Sequence, residues 1–489
     1  MNGNTIGVIV GNRGIFPDSV ARDGREEILS LLEKEGFNPI CLTPEESKFG
    51  TVETLADSIA CAELFRRNAN KIDGVLVTLP NFGDERGIAN AIRMSGLKVP
   101  VLVQAYPDSI DKFGMTFRRD AFCGKFSACS NLSQYNIPFT LTTKHTVAPN
   151  SPSFLEDLRN FGATCRVVRG LRTARFGQIG ARPGPFNSVR YSEKLLEYAG
   201  ITIDTLDMAD ALGRVAKMKD SDPTAQNKLQ AIQAYTNASQ APQSALLKMA
   251  KFSVVVEKWI EENKLVGSAV QCWSALQDEL GVVPCTIMSM MSNGLLPSAC
   301  EVDVVGAIAM YALQLASGTP SAIVDWNNNY EDEEDKCVLF HCSNFPKHFY
   351  AEPTSMDAHE MLKIASGREN TWGTLQGRIK TGPMTFLRLN TDDVIGKLTA
   401  YVTVGESLPD PAPTWGGIGV VHIRKLQGLL RYICEKNFEH HVSISLSSVG
   451  PGLVEALRKY LGWEVYAHEI GAQVTEKWTK TVLLDVLSA

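Results

Sequence analysis

The strongest constraint on the fold is an alternation, through the first hundred residues, between short apolar runs and amphipathic stretches. Residues 6–10 are apolar, too few for a helix, and run into the turn residues Gly11, Asn12 and Gly14. Residues 20–36 then set Ile28, Leu29, Leu31 and Leu32 on one side and stop at Gly36, which predicts a helix. The couplet recurs as a strand over 39–43, a helix over 51–68, a strand over 74–79, a helix over 87–95 and a strand over 100–104. Such alternation implies a parallel sheet covered by helices. Ligands approach parallel sheets at the carboxyl ends of the strands. Arg13, the turn Pro80-Asn81-Phe82-Gly83 and Gln104 stand at those ends and become pocket candidates.

The glycine turn after the first strand lacks GxGxxG spacing, and no phosphate loop with Gly-Lys-Ser/Thr occurs, which argues against a nicotinamide oxidoreductase. A chain of 489 residues is long enough for two or three hydrophobic cores. A net charge of -6 gives no basic footprint for nucleic acid or an anionic membrane. No apolar run reaches the length of a bilayer helix, and the N-terminus lacks a secretory pattern, so the expected location is the cytoplasm. The eleven cysteines are scattered without a CxxC pair and read as inert core thiols.

A second unit is expected from a strand over 165–170, followed by a Gly/Pro-rich loop over 176–185 and helices through residue 263. A third, from about residue 345, replaces the alternation with short strands punctuated by glycine, which suggests an antiparallel barrel or sandwich.

Four segments carry candidate chemistry. Glu301 precedes a strongly apolar helix over 304–316, where a carboxylate is electrostatically favoured; that position suits a plain helix-start charge as well as a catalytic group. Asp325 ends the apolar run Ser321-Ala322-Ile323-Val324, and the acidic run 331–335 beyond it reads as a solvated loop. His341 and Asn344 end another apolar run, the histidine reading either as a hydrogen-bonding residue or as a ligand. His440 and His441 enter a strand, where period-two geometry would send them to opposite faces, so that one alone reaches a given site. Carboxylates with imidazole suit manganese, magnesium or cobalt, and no soft thiolate cluster is evident in the sequence.

In order along the chain, ACEVDVVGAIAM, AIVDWNNNY, VLFHCSN and FEHHVSI resemble the fucose/arabinose isomerase superfamily. The architecture then expected is α/β: two Rossmann-like parallel-sheet domains over 1–164 and 165–344, followed by an antiparallel β-barrel-like domain over 345–489. The resemblance implies an aldose-ketose isomerase that works through a cis-enediolate with Mn2+, or another dication such as Co2+ or Mg2+. It makes Glu301 and Asp325 both cation ligands and proton-transfer carboxylates. It also favours His441, the second of its pair, as a ligand, with His440 in that place if the following valine is the anchor, and puts His341 at the place of a further one. Asn344 and His440 fall in the substrate-binding set with Arg13, Asn81, Phe82 and Gln104.

The loop at Gly180 resembles the family's middle domain but carries Arg182-Pro183-Gly184-Pro185, and Arg182 there reads as an exposed loop residue or as a partner for an anionic sugar. The expected substrate is L-fucose, D-arabinose or L-arabinose, with an anionic hexose such as sulfoquinovose as the alternative. A non-catalytic sugar-binding protein is the rival of another class. Family members form homo-oligomers, often hexamers with shared sites, so Arg13 and the Asn81-Phe82 loop are expected to act on a neighbouring copy.

Overall fold

The apolar runs near the N-terminus do form strands: β1 (Thr5–Val10), β2 (Asn38–Ile40), β3 (Gly74–Leu79), β4 (Val101–Ala105) and β5 (Thr140–Leu141). They pair in parallel in the order β2-β1-β3-β4-β5 in a computed structural model that describes residues 3–471. Strands β1, β3 and β4 are apolar on both faces because helices pack against both, leaving two core clusters, one around Phe65 and Ile88 and one around Ile28 and Phe154. The strand order reverses between β1 and β3, the crevice where doubly wound sheets commonly take ligands.

The strand expected over 165–170 is instead the end of a helix, Pro152–Leu171. Its buried residues Phe154, Leu158, Phe161, Cys165 and Val168 recur every three or four positions. That helical face prevails over the local strand preference of Arg166-Val167-Val168. The chain divides into two compact units, one formed by residues up to Arg169 with Glu455–Gly462, the other by Gly170–Val454 with residues from Trp463 onward.

The second unit contains two sheets. Strands β6 (Arg175–Ile179), β7 (Thr202–Leu206), β8 (Gly267–Val270) and β9 (Ser298–Ala299) pair in parallel in the order β7-β6-β8-β9. The other sheet is mixed and nine-stranded. It comprises β10 (Ser321–Tyr330), β11 (Glu333–His341), β12 (Ser355–Ala358), β13 (Trp372–Arg378), β14 (Gly382–Asp392), β15 (Lys397–Leu408), β16 (Gly417–His422), β17 (His441–Ser445) and β18 (Glu464–His468). Their order is β12-β13-β16-β11-β10-β17-β14-β15-β18, and β15 also pairs with β16. Two pairings, β13 with β16 and β15 with β18, are parallel, so the sheet is not purely antiparallel. Residues 321–341, grouped above with the middle domain, belong to this sheet; the acidic run is no separate loop but turns the β10-β11 hairpin and enters β11. Positions 472–489 of the expected third domain lie outside the described residues.

The helix Val304–Ser317 packs against β8 and β9 of the parallel sheet and against β10, β14 and β17 of the mixed sheet. Covered from both sides, it is apolar nearly all round, as a buried helix must be. No helix among the described residues is long and apolar enough to cross a membrane.

Candidate active site

The site is built where the buried helix begins. Glu301 follows the end of β9 by two residues, and Asp303 caps the helix by accepting from the Gly306 amide at 2.8 Å. Between strand and cap the backbone enters the left-handed region twice, at Glu301 (φ 59°) and Val302 (φ 58°). Neither is a glycine, so each position costs about 1–2 kcal/mol. Strain of this kind collects at functional sites, where surrounding packing must hold it.

Across from this turn, Asp325 on β10 stands directly opposite His441 on β17. Opposed residues share a face of a sheet, so the register alone brings carboxylate and imidazole together. His441 Nε2 lies 3.2 Å from Glu301 Oε2 and 3.4 Å from Asp325 Oδ1. All three atoms are buried and none has a hydrogen-bond partner. Buried polar atoms are otherwise nearly always paired. Two carboxylate oxygens approach one ring nitrogen, and Asp325, His440 and His441 each offer a ligand atom within 4.8 Å of the other two, a donor set that a borderline or hard dication would complete.

Further groups hold this one in place. Asp303 Oδ2 lies 3.0 Å from His441 Nδ1, and Arg388 donates to both Asp303 oxygens at 2.5 and 3.0 Å. Arg388 also pairs with Glu439. Burial opposes charge on Asp303, but Arg388 and His441 outweigh it and hold the carboxyl far below the usual range. Burial likewise disfavours an imidazolium at His441, yet Asp303 and Glu301 carry the ring up to about 10. Burial would raise Glu301 too, and His441 brings it below its ordinary value. The Trp273 indole reaches Glu301 Oε1 at 3.4 Å. Glu301 is therefore a carboxylate with one oxygen engaged and one turned to the centre.

His440 departs from the sequence expectation. Its Nε2 lies 3.6 Å from Asp325 Oδ1, so both adjacent histidines reach the same carboxylate. The strand starts only at His441, and the strict alternation assumed for the pair does not govern the residue before it. His440 is half exposed where His441 is buried. His341 is buried, with its ring 5.6 Å from that of His441, and its Nδ1 accepts from the Cys342 amide at 2.9 Å. Nε2 then carries the proton of the neutral ring, which suits a donor beside the group. Asn344 sits behind β9, its Nδ2 3.5 Å from the Ser298 carbonyl.

The loop holding Arg182 reaches this region through Phe186, whose ring packs edge-on against Trp273 at 5.4 Å and lies 6.0 Å from His440. Arg182 Nη1 donates to the carbonyls of Pro183 and Gly184. The remaining pocket candidates lie in the first unit. Asn81 and Gln104 are fully buried; Asn81 accepts from the Arg13 amide, and Gln104 bonds Thr78 and the Val147 carbonyl. Arg13 stacks 4.2 Å above Phe82 and pairs with Glu85.

Sequence reasoning missed Asp303, Arg388 and Trp273. The first two left signals: Asp303 begins an Asp-x-x-Gly cap, and Arg388 is a lone charge within the apolar run Phe386-Leu387-Arg388-Leu389. It also missed a thiol cluster. Cys272 follows β8 and Cys300 follows β9, and because these strands pair in parallel, residues 28 positions apart emerge side by side. Cys272, Cys285, Cys300 and Cys342 line one cavity of about 210 Å³ together with Glu301 and His359.

Residues 7–172 match the family model for the fucose/sulfoquinovose isomerase N-terminal domain, and residues 339–469 match that for the L-fucose isomerase C-terminal domain. The sulfoquinovose isomerase of Priestia megaterium is 23% identical over 345 residues, covering 70% of this chain and 73% of the relative. That of Alkalicoccus urumqiensis is 22% identical over 301 residues, 60% of this chain and 65% of the relative.

Proposed function

Since the chain belongs to the fucose isomerase-like superfamily and is an aldose-ketose isomerase, we propose that it interconverts sulfoquinovose and its 2-ketose at the centre formed by Glu301, Asp325 and His441. The observation that carries the siting is the approach of two buried carboxylate oxygens to one buried imidazole nitrogen, all three without a hydrogen-bond partner. The anionic substrate is favoured over L-fucose and the arabinoses by the relatives, which are named sulfoquinovose isomerases. Arg182 supplies a cation for the sulfonate on the loop beside Trp273 and His440.

Glu301, Asp325 and His441 would hold a dication, Mn2+ by preference, that polarises the sugar carbonyl and favours the enediolate. One carboxylate takes the proton from C2 of the aldose and returns it to C1, while a hydroxyl proton passes between O1 and O2. Glu301, kept ionised beside His441, is suited to accept the carbon proton. Asp325, with 21% of its side chain exposed and His440 beside it, is suited to manage the oxygen proton. Asp303 keeps His441 Nε2 turned to the centre, as outer carboxylates do for ligating histidines.

The reading extends to a homo-oligomer, in which Arg13 and the Asn81-Phe82 loop serve a neighbouring copy. Ile110, Phe113, Met115, Phe117, Phe122 and Phe126 expose apolar side chains on the first unit that such assembly would cover. Light scattering that finds only monomers would remove this part. A panel of sulfoquinovose, L-fucose, D-arabinose and L-arabinose assayed with Mn2+ tests the rest. Turnover is expected to be fastest on sulfoquinovose and abolished by Glu301→Gln with the melting curve kept. Near-normal rates in that variant would reject the site, and preference for a neutral sugar would reject the substrate.

A further inference from the structure

We propose that Cys272 and Cys300, with Glu301, form a second cation site that captures a thiophilic dication such as Zn2+ or Cd2+ and thereby inhibits the enzyme. One ligand atom from each of the three residues lies within 4.8 Å of the other two, and all three residues are buried. A tetrahedral ion with metal-sulfur bonds of ~2.3 Å brings two sulfurs to ~3.8 Å, so the two sulfurs need to close by no more than ~1 Å. The cavity of about 210 Å³ they line gives an ion room, and Cys285, Cys342 and His359 line it as well. None of the eleven cysteines is in a disulfide, so the thiols are available.

Donor chemistry sets the selectivity. Two sulfurs favour Zn2+ or Cd2+ over Mn2+ or Mg2+, whereas the neighbouring group of two carboxylates and an imidazole favours the harder ions. Capture releases the two Sγ protons to solvent and transfers no electrons. Two thiolates and one carboxylate leave a net charge of -1 around the dication. Glu301 belongs to both sets, so an ion held by Cys272 and Cys300 draws on the same carboxylate that the neighbouring centre uses. The inhibitory half of the inference rests on the proposed role of Glu301; the binding half does not.

The test titrates Cd2+ into the reduced full-length protein and follows the ultraviolet thiolate-to-cadmium charge-transfer band. The band is expected to saturate at one ion per chain and to weaken in affinity at least roughly tenfold in Cys272→Ser and in Cys300→Ser. It should persist when the exposed thiols are removed by Cys123→Ser and Cys434→Ser. Should a serine variant not melt cooperatively, Cys272→Ala and Cys300→Ala replace it. A band unchanged in both position-272 and position-300 variants, or lost with the exposed thiols, overturns the site. With Mn2+ saturating, Cd2+ should suppress sugar turnover in the wild type and do so at least roughly tenfold less effectively in Cys272→Ser. A saturated band with turnover untouched overturns the inhibition. A chain that isomerises no sugar yet gives the band through Cys272 and Cys300 keeps the site while the functional reading fails.

Discussion

Asp303 determines which nitrogen His441 can offer. With Nδ1 held at 3.0 Å by a fully buried carboxylate, Nε2 faces Glu301 and Asp325. Asp303→Asn keeps the volume and the helix cap but weakens the hold on the ring. Isothermal titration of the metal-free protein with Mn2+ is expected to give an affinity lower by roughly 10- to 100-fold, and an unchanged affinity would contradict the positioning role. The acids at 301 and 325 and the histidine pair could be picked out of the sequence because each stands at one end of an apolar run. Asp303 could be seen only as a cap and Arg388 only as an odd charge, because their partners are 138 and 85 positions away.

At the scale of elements, the buried helix and the β10-β17 register are what assemble the centre. Gly306 permits the close approach. A Cβ there would lie 2.4 Å from Asp303 Oδ2 and 2.5 Å from Ile323 Cδ1. Gly306→Ala must therefore displace Asp303 or push the helix off β10. The expected cost is about 1–3 kcal/mol in urea unfolding, together with weaker Mn2+ binding. Stability and affinity both at wild-type level would show that the packing yields freely. The helix itself was evident in its unbroken apolar sequence, as was the start of β10 after it, whereas β9 before it falls in a stretch that reads as a loop. The extension of β10 to Tyr330 and the helix ending at Leu171 were not, since polar and β-branched residues there follow tertiary neighbours over local preference.

Across the whole molecule, ligand and pH set stability through different groups. A dication bound at the proposed centre stabilises the folded chain by mass action, about 2.7 kcal/mol at a hundredfold excess over Kd. Chelation is expected to lower the melting temperature, and His441→Ala to erase the difference between chelated and Mn2+-loaded samples. Equal melting with and without Mn2+ in the wild type would count against a bound ion.

Lys125 in the first unit is 1% exposed, donates to Thr142 and the His145 carbonyl, and is pushed down by burial to about 8 from 10.5. Between these values the unfolded chain holds a proton that the folded chain has released, so stability rises with pH across the window. Below about pH 8 the full penalty, roughly 2–4 kcal/mol, is present. Urea unfolding from pH 7.5 to 10.5 should show a steeper rise for the wild type than for Lys125→Met, and parallel curves would refute the assignment.

Taken alone, the sequence determined the periodicities, and with them the parallel sheet, the buried helix and the apolar runs that end in Asp325 and His341. These are legible because alternation and helical spacing act between near neighbours along the chain. Only the tertiary structure decided that Asp325 faces His441, that both histidines reach one carboxylate, and that Cys272 emerges beside Cys300. Those outcomes depend on strand register and on which strands become neighbours. Both are settled by burial summed over distant segments, so no local pattern records them.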